Sequence, residues 1–199
     1  MRLVLIGCAL LIATAPAEAA LNVFGSTLAR ECYQAAQTNS ATGTSVCGRA
    51  LGNEQMTSRD KAATLVNRGI IYNNGRRLDL AIADFNSAMS IDPNLGEAYL
   101  NRGNAYFFRR QFPEALADYS KAIDLKISNL EYAYYNRALA YEMMSKLDEA
   151  KTDLQSALSQ SPQFKAASDR LVSINQMIAA RGSSPAGGPE TTPPAPSAQ

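Results

Sequence analysis

The sequence predicts an all-α fold built as an array of repeated helical hairpins. Three similar stretches follow one another at residues 62–95, 96–129 and 131–164, starting 34 and then 35 residues apart. Each carries an Asn-Arg-Gly or Asn-Arg-Ala phrase near its start, and about twelve residues later two alanines flanking a large apolar residue. A repeat with this fixed period is typical of an α-solenoid, in which each unit buries the apolar face of its neighbour.

The composition excludes several classes of function. The chain has 199 residues, of which 46% are apolar, and its 19 basic and 18 acidic residues leave a net charge of +1. Nothing in this balance argues for binding to nucleic acid or to an anionic membrane surface. The absence of histidine removes the usual general base and the usual zinc ligand. We therefore expect a non-enzymatic protein with no cofactor, metal or small-molecule substrate, whose partner is a protein or a peptide.

Residues 1–19 are predicted to be a secretory signal peptide. The apolar run Leu3–Ala13 has the length of a signal core and is too short to span a bilayer. Small residues two positions apart follow it, so we expect cleavage after Ala19, with Ala17 as the next candidate. Leu5-Ile6-Gly7-Cys8 resembles a lipoprotein box, which gives an alternative. A lipid on Cys8, or an uncleaved signal segment, would then hold the chain at the membrane.

Residues 20–61 are predicted to form a helical hairpin that is a degenerate copy of the repeat, as terminal repeats often are. Helices are expected at Thr27–Thr38 and Thr44–Met56. In an antiparallel pair Cys32 and Cys47, the two cysteines left after signal removal, would face each other. An even count in an exported chain favours a disulfide, which would add about 3 kcal/mol of stability. Two buried free thiols are the alternative.

Each complete unit is expected to contain two helices, for example Glu97–Phe108 and Pro113–Leu125. Small residues of the first helix are predicted to face alanines of the second, which would let the two helices approach closely. The predicted pairs are Gly69 with Ala81, Gly103 with Ala115 and Ala138 with Ala150. The large residues expected to fill the space beside them are Tyr72, Tyr106, Tyr141, Phe85, Tyr119 and Leu154.

The turns carry their own signals. The first unit turns at Asn73-Asn74-Gly75, where the glycine is expected to adopt a left-handed backbone. Pro93 and Pro162 close the first and third units. Ile127 takes this place in the second unit, and the missing proline weakens the turn signal there.

The chain after the third unit is predicted to hold one more helix and a tail. Residues 165–181 place Leu171, Ile174 and Ile178 on one stripe, and no partner helix follows. Such a helix would cap the array by covering its last apolar face. Residues 182–199 are rich in proline, glycine, alanine and serine, so we expect them to be disordered.

The three units resemble the tetratricopeptide repeat. The resemblance rests on the 34-residue period, the small residue of each Asn-Arg phrase, the tyrosine that follows it, the alanine pairs and Asp92-Pro93-Asn94. It implies a right-handed superhelix of helix pairs, whose first helices line a concave groove that binds peptides or proteins. The signal sequence and the cysteine hairpin look like those of exported tetratricopeptide proteins of Gram-negative bacteria, which implies a periplasmic location.

The arginine of each repeated phrase has a predicted partner in its own unit. Each one lies sixteen residues before an aspartate on the second helix, and we expect an ion pair that joins the two helices. A catalytic or anion-binding role for these arginines is the alternative. The predicted structural salt bridges are Arg68–Asp84, Arg102–Asp118 and Arg137–Asp153.

The asparagine of each phrase is the candidate for binding. Asn67, Asn101 and Asn136 fall on the first helices, and in some tetratricopeptide superhelices such asparagines bind the backbone of an extended peptide. A carboxamide can donate and accept at once, which suits a peptide group. A hydrogen bond to a neighbouring unit is the alternative. The groove residues that helical spacing places beside them are Leu100, Asn104, Phe108, Tyr132 and Tyr135.

The groove also predicts the kind of partner. Chaperone-binding tetratricopeptide domains clamp a C-terminal carboxylate with basic residues, but Val66, Ile70 and Tyr132 occupy three of those places. We therefore expect a segment with apolar side chains rather than Hsp70- or Hsp90-type binding. The favoured function is a periplasmic protein-interaction scaffold. One alternative is an accessory subunit of an envelope assembly retained at the membrane, and another is an enzyme using groove carboxylates.

Overall fold

A computed structural model of the chain describes residues 27–40, 42–52 and 55–183. These ranges contain nine α-helices and no strand. The predicted signal peptide at residues 1–19, and residues 184–199 of the predicted tail, lie outside the described residues. The helices are α1 (Thr27–Thr38), α2 (Gly43–Leu51), α3 (Ser58–Asn74), α4 (Leu78–Ile91), α5 (Gly96–Phe108), α6 (Phe112–Asp124), α7 (Leu130–Met143), α8 (Leu147–Gln160) and α9 (Lys165–Ser183).

The helices form four consecutive hairpins followed by α9. α1 packs on α2, α3 on α4, α5 on α6 and α7 on α8, and the second helix of each hairpin contacts the next helix along the chain. Successive first helices also touch, α1 with α3, α3 with α5, and α5 with α7. These contacts place the first helices on the inner side of a curved array. The predicted all-α solenoid is therefore confirmed.

The boundary between the N-terminal hairpin and the first unit differs from the prediction. α2 ends at Leu51 rather than Met56, and α3 already begins at Ser58, ahead of the predicted unit start at residue 62. Thr57 causes the early start, because its Oγ1 accepts a hydrogen bond of 3.1 Å from the backbone N–H of Asp60. Such a cap satisfies one of the free donors at a helix start.

The close approach of the two helices in a unit depends on a glycine that faces a ring. A Cβ atom on Gly103 would lie 2.7 Å from Cε1 of Tyr119, and one on Gly69 would lie 2.5 Å from Cε1 of Phe85. The nearest neighbours of these glycines are thus aromatic rings of the second helix. The expectation that they face alanines is wrong in this detail. The ring needs the empty space beside the glycine, and Ala81 and Ala115 on the same second helices are fully buried.

The third unit fills the same space with a different pair. Ala138 replaces the glycine and Leu154 replaces the ring, and both are buried in one core cluster, at 1% and 0% exposure. An added methyl group on the first helix is therefore matched by a smaller side chain on the second. The small residue of the first helix and the large residue of the second helix together fill one space in each unit. The units differ in how much of that space each residue takes.

The turns inside the units contain a left-handed residue that is not glycine. Gly75, the predicted left-handed residue, has a φ of −79°, whereas the following residue, Arg76, has a φ of 58°. The next N–H, that of Arg77, donates to the carbonyl of Tyr72 at 2.8 Å and closes the helix end. This hydrogen bond requires a left-handed backbone at the residue that precedes its N–H donor, whichever amino acid occupies that position. The equivalent residues, with φ of 61° and 60°, are Arg110 and Ser145.

The turn without proline is held by an apolar contact. Ile127 is 6% exposed, and its Cγ2 lies where a side chain on Gly96 would project. Gly96 begins α5, the first helix of the same unit, so the isoleucine fixes the end of the unit against its start. Burial of the isoleucine thus compensates for the weak turn signal.

The last helix covers the end of the array. α9 packs on α8, and Ala167 and Ile174 are fully buried in the core of the third unit. α9 runs to Ser183, past its predicted end at residue 181. Val172 on its other side is 56% exposed, because no further repeat lies over it within the described ranges.

We predict that Gly103→Ala lowers the free energy of unfolding by about 1–3 kcal/mol, because the new Cβ would overlap the Tyr119 ring. Adding Tyr119→Leu reproduces the pair of the third unit, so the double variant should lose less than the sum of the single losses. Urea unfolding of the four proteins measures this coupling. Gly48→Ala in α2 is the control, since the nearest atom to its Cβ would be 4.0 Å away. Strictly additive losses would contradict the shared volume.

Candidate functional site

Each complete unit contains a bidentate ion pair between its two helices. Arg102 donates from Nε and Nη2 to the two carboxylate oxygens of Asp118, at 2.8 and 2.7 Å. The aspartate side chain is 6% exposed and that of the arginine 22%. The hydrogen bonds to Asp118 raise the pKa of Arg102 above its usual value, so the guanidinium stays charged. The same geometry, at 2.7–2.8 Å, is found in Arg68–Asp84 and Arg137–Asp153.

Further donors of these arginines join one unit to the previous one. Nη1 of Arg102 donates to Oδ1 of Asn86 on α4 at 2.5 Å, and Nη1 of Arg137 donates to Oγ of Ser120 on α6 at 2.9 Å. Tyrosine rings flank the guanidinium groups, and Cζ of Arg102 lies 5.7 Å from the ring centre of Tyr106. Because their donors and faces are used inside the protein, the geometry favours a structural role over the anion-binding alternative.

The three asparagines expected to line the groove are buried. Asn67, Asn101 and Asn136 are 0%, 5% and 1% exposed, so no ladder of accessible carboxamides is formed. Nδ2 of Asn101 donates to the backbone carbonyl of Glu97 in its own helix at 2.8 Å. Asn136 makes the alternative contact with a neighbouring unit, where its Nδ2 donates to Oδ1 of Asn104 at 2.9 Å. The closeness of successive first helices is the reason, since it leaves no room for a ligand over these positions.

A buried hydrogen-bond network joins the second unit to the third. Oδ1 of Asn104 accepts a hydrogen bond of 2.9 Å from the hydroxyl of Tyr119 as well as the one from Asn136. The three residues lie on α5, α6 and α7. Burial raises the pKa of Tyr119 well above its usual value, so the hydroxyl keeps the proton that it donates. Asn104, expected in the groove, is therefore part of the junction between units.

Two of the other four expected groove residues are buried as well. Leu100 and Tyr135 are 1% and 3% exposed, whereas Tyr132 and Phe108 are half-buried. The ring of Phe164, just before α9, lies 5.1 Å from the rings of both Tyr132 and Tyr135. α9 and the residues leading into it take the place of the first helix of a further unit, and so they cover this face.

An ion pair fixes α9 against α7. Nη1 of Arg170 donates to Oε1 of Glu142 at 3.4 Å, and the two side chains are 12% and 13% exposed. Burial raises the pKa of Glu142, and the charge of Arg170 partly offsets that rise. Sequence reasoning missed this pair because no repeated spacing marks it.

Two concavities lie at the edge of the array where the first helices end and the turns begin. The N-terminal pocket measures about 330 Å³ and the C-terminal pocket about 500 Å³. Phe108 is the one residue of the expected groove that lines either of them. The N-terminal pocket is lined by Asn39, Asn73, Asn74, Arg76 and Phe108. The C-terminal pocket is lined by Glu142, Met143, Ser145, Leu147, Met177 and Arg181.

Two kinds of site are not found within the described ranges. These ranges contain no group of histidine, cysteine, aspartate and glutamate side chains that could hold a metal ion. Their helices are all too short or too polar to cross a bilayer.

Asp79, at the start of α4, forms an exposed ion pair of 2.7 Å with Arg109 of the next unit.

The fold and its inter-unit contacts define a helical-repeat scaffold, and comparison with known families names the repeat. Models of the tetratricopeptide repeat match residues 62–95, 96–129 and 132–163. The chain belongs to the tetratricopeptide repeat family. Members of this family are generally interaction scaffolds without catalytic activity.

Two human relatives show how far the similarity extends. Tetratricopeptide repeat protein 6 is 35% identical over 77 residues, which are 39% of this chain and 15% of the relative. RNA polymerase II-associated protein 3 is 32% identical over 124 residues, which are 62% of this chain and 18% of the relative. The chain thus spans less than a fifth of either relative.

Solved structures give the same fold. The first tetratricopeptide domain of Spaghetti (RPAP3), solved with the HSP90 peptide SRMEEVD, is 31% identical with a TM-score of 0.58. The match covers 64% of this chain and 99% of that domain. MamA is 20% identical with a TM-score of 0.65, over 79% of this chain and 88% of its own, and supports the fold alone.

We predict that Asp118→Asn costs about 3–5 kcal/mol of stability, because it leaves the partly buried Arg102 without its counter-charge. A double-mutant cycle of Arg102→Leu and Asp118→Asn should give a coupling energy of about 1–3 kcal/mol by urea unfolding. The matched control is Arg109–Asp79, with the same 2.7 Å distance but an aspartate that is 88% exposed. Its coupling should stay below about 1 kcal/mol. Equal coupling in the two cycles would show that burial of the Arg102 pair adds nothing.

Proposed function

We propose that this chain is a non-catalytic scaffold that binds a peptide or protein segment along the inner edge of its repeat array. The observation that carries the proposal is the 31% identity, over nearly the whole of that domain, to a tetratricopeptide domain solved with a bound peptide. The N-terminal and C-terminal pockets support it, because they open on one edge, from α1 to α9, and provide seats for side chains.

The C-terminal pocket favours a partner with apolar side chains. Met143, Leu147 and Met177 line the C-terminal pocket, and Phe108 lines the N-terminal one. Methionine side chains adapt to ligands of different shape, which suits a surface that takes a flexible segment. The basic clamp of chaperone-binding domains has no counterpart at Val66, which is fully buried. We therefore propose a partner other than a chaperone tail.

Selection from a displayed random dodecapeptide library on the chain without residues 1–19 tests this function. We expect selected peptides to bind the wild type, and Met143→Ala to weaken their binding about tenfold or more, measured by fluorescence anisotropy. Leu80→Ala is the control, because Leu80 is a large apolar residue on α4 that is 48% exposed and lies in neither pocket. Failure to select any binder, or equal losses in the two variants, would refute the proposal.

We further propose that the chain is exported to the periplasm and that Cys32 and Cys47 form a disulfide there. Both cysteines are fully buried on facing sides of α1 and α2, and their Cα atoms are 4.7 Å apart. Neighbours this close oxidise readily in an oxidising compartment and stay reduced in a cytosol. The predicted signal peptide supports the same location. The disulfide would hold together a hairpin that contributes few large apolar residues to the core it shares with α3.

Thiol trapping in a Gram-negative host tests export and oxidation together. The full chain should appear in the periplasmic fraction with both cysteines protected from alkylation until reduction, whereas the chain without residues 1–19 should be alkylated in the cytosol. Reduction of the purified protein should lower its stability by about 3 kcal/mol, for a bond that closes a loop of 15 residues. Cys32→Ser with Cys47→Ser is the control for reduction. Recovery with the membrane fraction would instead favour the alternative of a membrane-retained subunit.

A further inference from the structure

Four exposed arginines lie in two neighbouring turns on one edge of the array. α3 and α5 both end at this edge, and the turns that follow them contain Arg76-Arg77 and Arg109-Arg110. The turn between α1 and α2 lies at the same edge and has no charged residue. The net charge of +1 for the whole chain therefore hides a local excess of positive charge.

The acidic residues next to these turns do not neutralise them. Asp79 pairs with Arg109 at 2.7 Å, and Oε1 of Glu114 accepts a hydrogen bond of 3.1 Å from Gln111. The other three arginines form no ion pair with any described residue. We call these three residues the arginine edge: Arg76, Arg77 and Arg110.

Aromatic rings hold the three guanidinium groups in place. The distances from Cζ to the ring centre are 3.8 Å for Arg76 over Phe108, 4.5 Å for Arg77 over Tyr72 and 5.7 Å for Arg110 over Phe112. A guanidinium that stacks by its face keeps the N–H groups in its plane for a ligand, and it loses less freedom when it binds one. The contact of Arg76 with Phe108 also joins the two turns, because Phe108 belongs to the next unit.

The fold does not require arginine at these positions. Arg76 and Arg110 have φ of 58° and 61°, a conformation that glycine and asparagine adopt at lower cost. Ser145 has the same conformation in the third unit, so the turn forms without an arginine. A residue kept in an unfavourable backbone conformation, with its side chain exposed, points to a role at the surface.

An exposed apolar side chain lies close to the arginine edge. Leu80 is 48% exposed in the first turn of α4, three residues after Arg77. This combination suits the surface of an anionic bilayer, where guanidinium groups pair with lipid phosphates and an apolar side chain enters the boundary with the acyl chains. A nucleic acid or a soluble polyanion would gain nothing from the leucine.

We propose that the arginine edge docks the array on the surface of an anionic phospholipid bilayer. The guanidinium groups donate hydrogen bonds to lipid phosphate oxygens, and Leu80 enters the interface. Three arginines and one leucine make this association weak and reversible, unlike that of a membrane-spanning helix. Because Arg76 also lines the N-terminal pocket, a docked bilayer covers that pocket, and a partner binds there only after release from the membrane.

Flotation with lipid vesicles tests this docking on the chain without residues 1–19. We expect binding to vesicles of equal parts phosphatidylglycerol and phosphatidylcholine, no binding to phosphatidylcholine alone, and release in about 1 M salt, where the Debye length is about 3 Å. Each arginine of the edge replaced by glutamine should lower the partition coefficient about fivefold, and replacement of all three should lower it about a hundredfold.

Matched variants separate the arginine edge from the total charge. Arg59→Gln, Lys61→Gln and Lys126→Gln together change the net charge equally, but they lie exposed at the opposite edge, where α3 begins and α6 ends, and should leave partitioning unchanged. Leu80→Ala should lower the partition coefficient about fivefold, whereas Val172→Ala, on a leucine-sized exposed position of α9, should have no effect. All these positions are exposed, so every variant should keep the melting temperature of the wild type.

Three results would overturn the proposal: no binding to phosphatidylglycerol vesicles, equal binding to phosphatidylcholine vesicles, or equal losses in the two triple variants. Binding of a DNA duplex or of inorganic polyphosphate by the arginine edge, without binding to vesicles, would also overturn it. The vesicle assay contains no peptide, so none of these results bears on the proposed function.

Discussion

The contact between a small residue of the first helix and a large residue of the second sets the spacing on which the array depends. Tyr119 can lie against α5 because Gly103 has no side chain there, and its hydroxyl then reaches Asn104. Asn104 in turn accepts from Asn136 of the next unit. The lack of a side chain at Gly103 inside one unit thereby determines a hydrogen-bond contact at the junction with the next unit. The bidentate arginine–aspartate pairs act at the same two interfaces, because each arginine bonds the second helix of its own unit and, in two cases, the unit before it.

This close packing decides where a partner can bind. When first helices touch one another, the side chains at the middle of their inner faces become part of the core, and polar ones must find partners within the protein. The Nδ2 groups of Asn101 and Asn136 do so, and they are therefore unavailable to a ligand. The helix ends and turns are not constrained in this way. Both pockets lie there, formed by residues that the repeat leaves free to vary, such as Arg76 and Ser145.

The two ends of the array have different means of covering an exposed face. At the C-terminal end, α9 buries Ile174 and pairs Arg170 with Glu142, but it leaves Val172 exposed. At the N-terminal end, a hairpin with few large apolar residues covers α3, and its buried cysteines supply a covalent means of holding two short helices together. The N-terminal hairpin also contributes Asn39 to a pocket, so the cover at this end is part of the proposed binding surface.

The sequence by itself determined the repeat, the helix pairs and the arginine–aspartate partners, because these depend on spacing along one chain and recur three times. It also located the capping helix from its apolar stripe. Only the tertiary structure decided which polar residues remain accessible, since burial depends on how closely neighbouring units approach. Asn67 and Phe108 both lie on the inner helices, yet one is fully covered and the other lines a pocket. The hydrogen bonds at the end of α3 likewise decided which turn residue takes the left-handed conformation. That residue is Arg76 rather than Gly75.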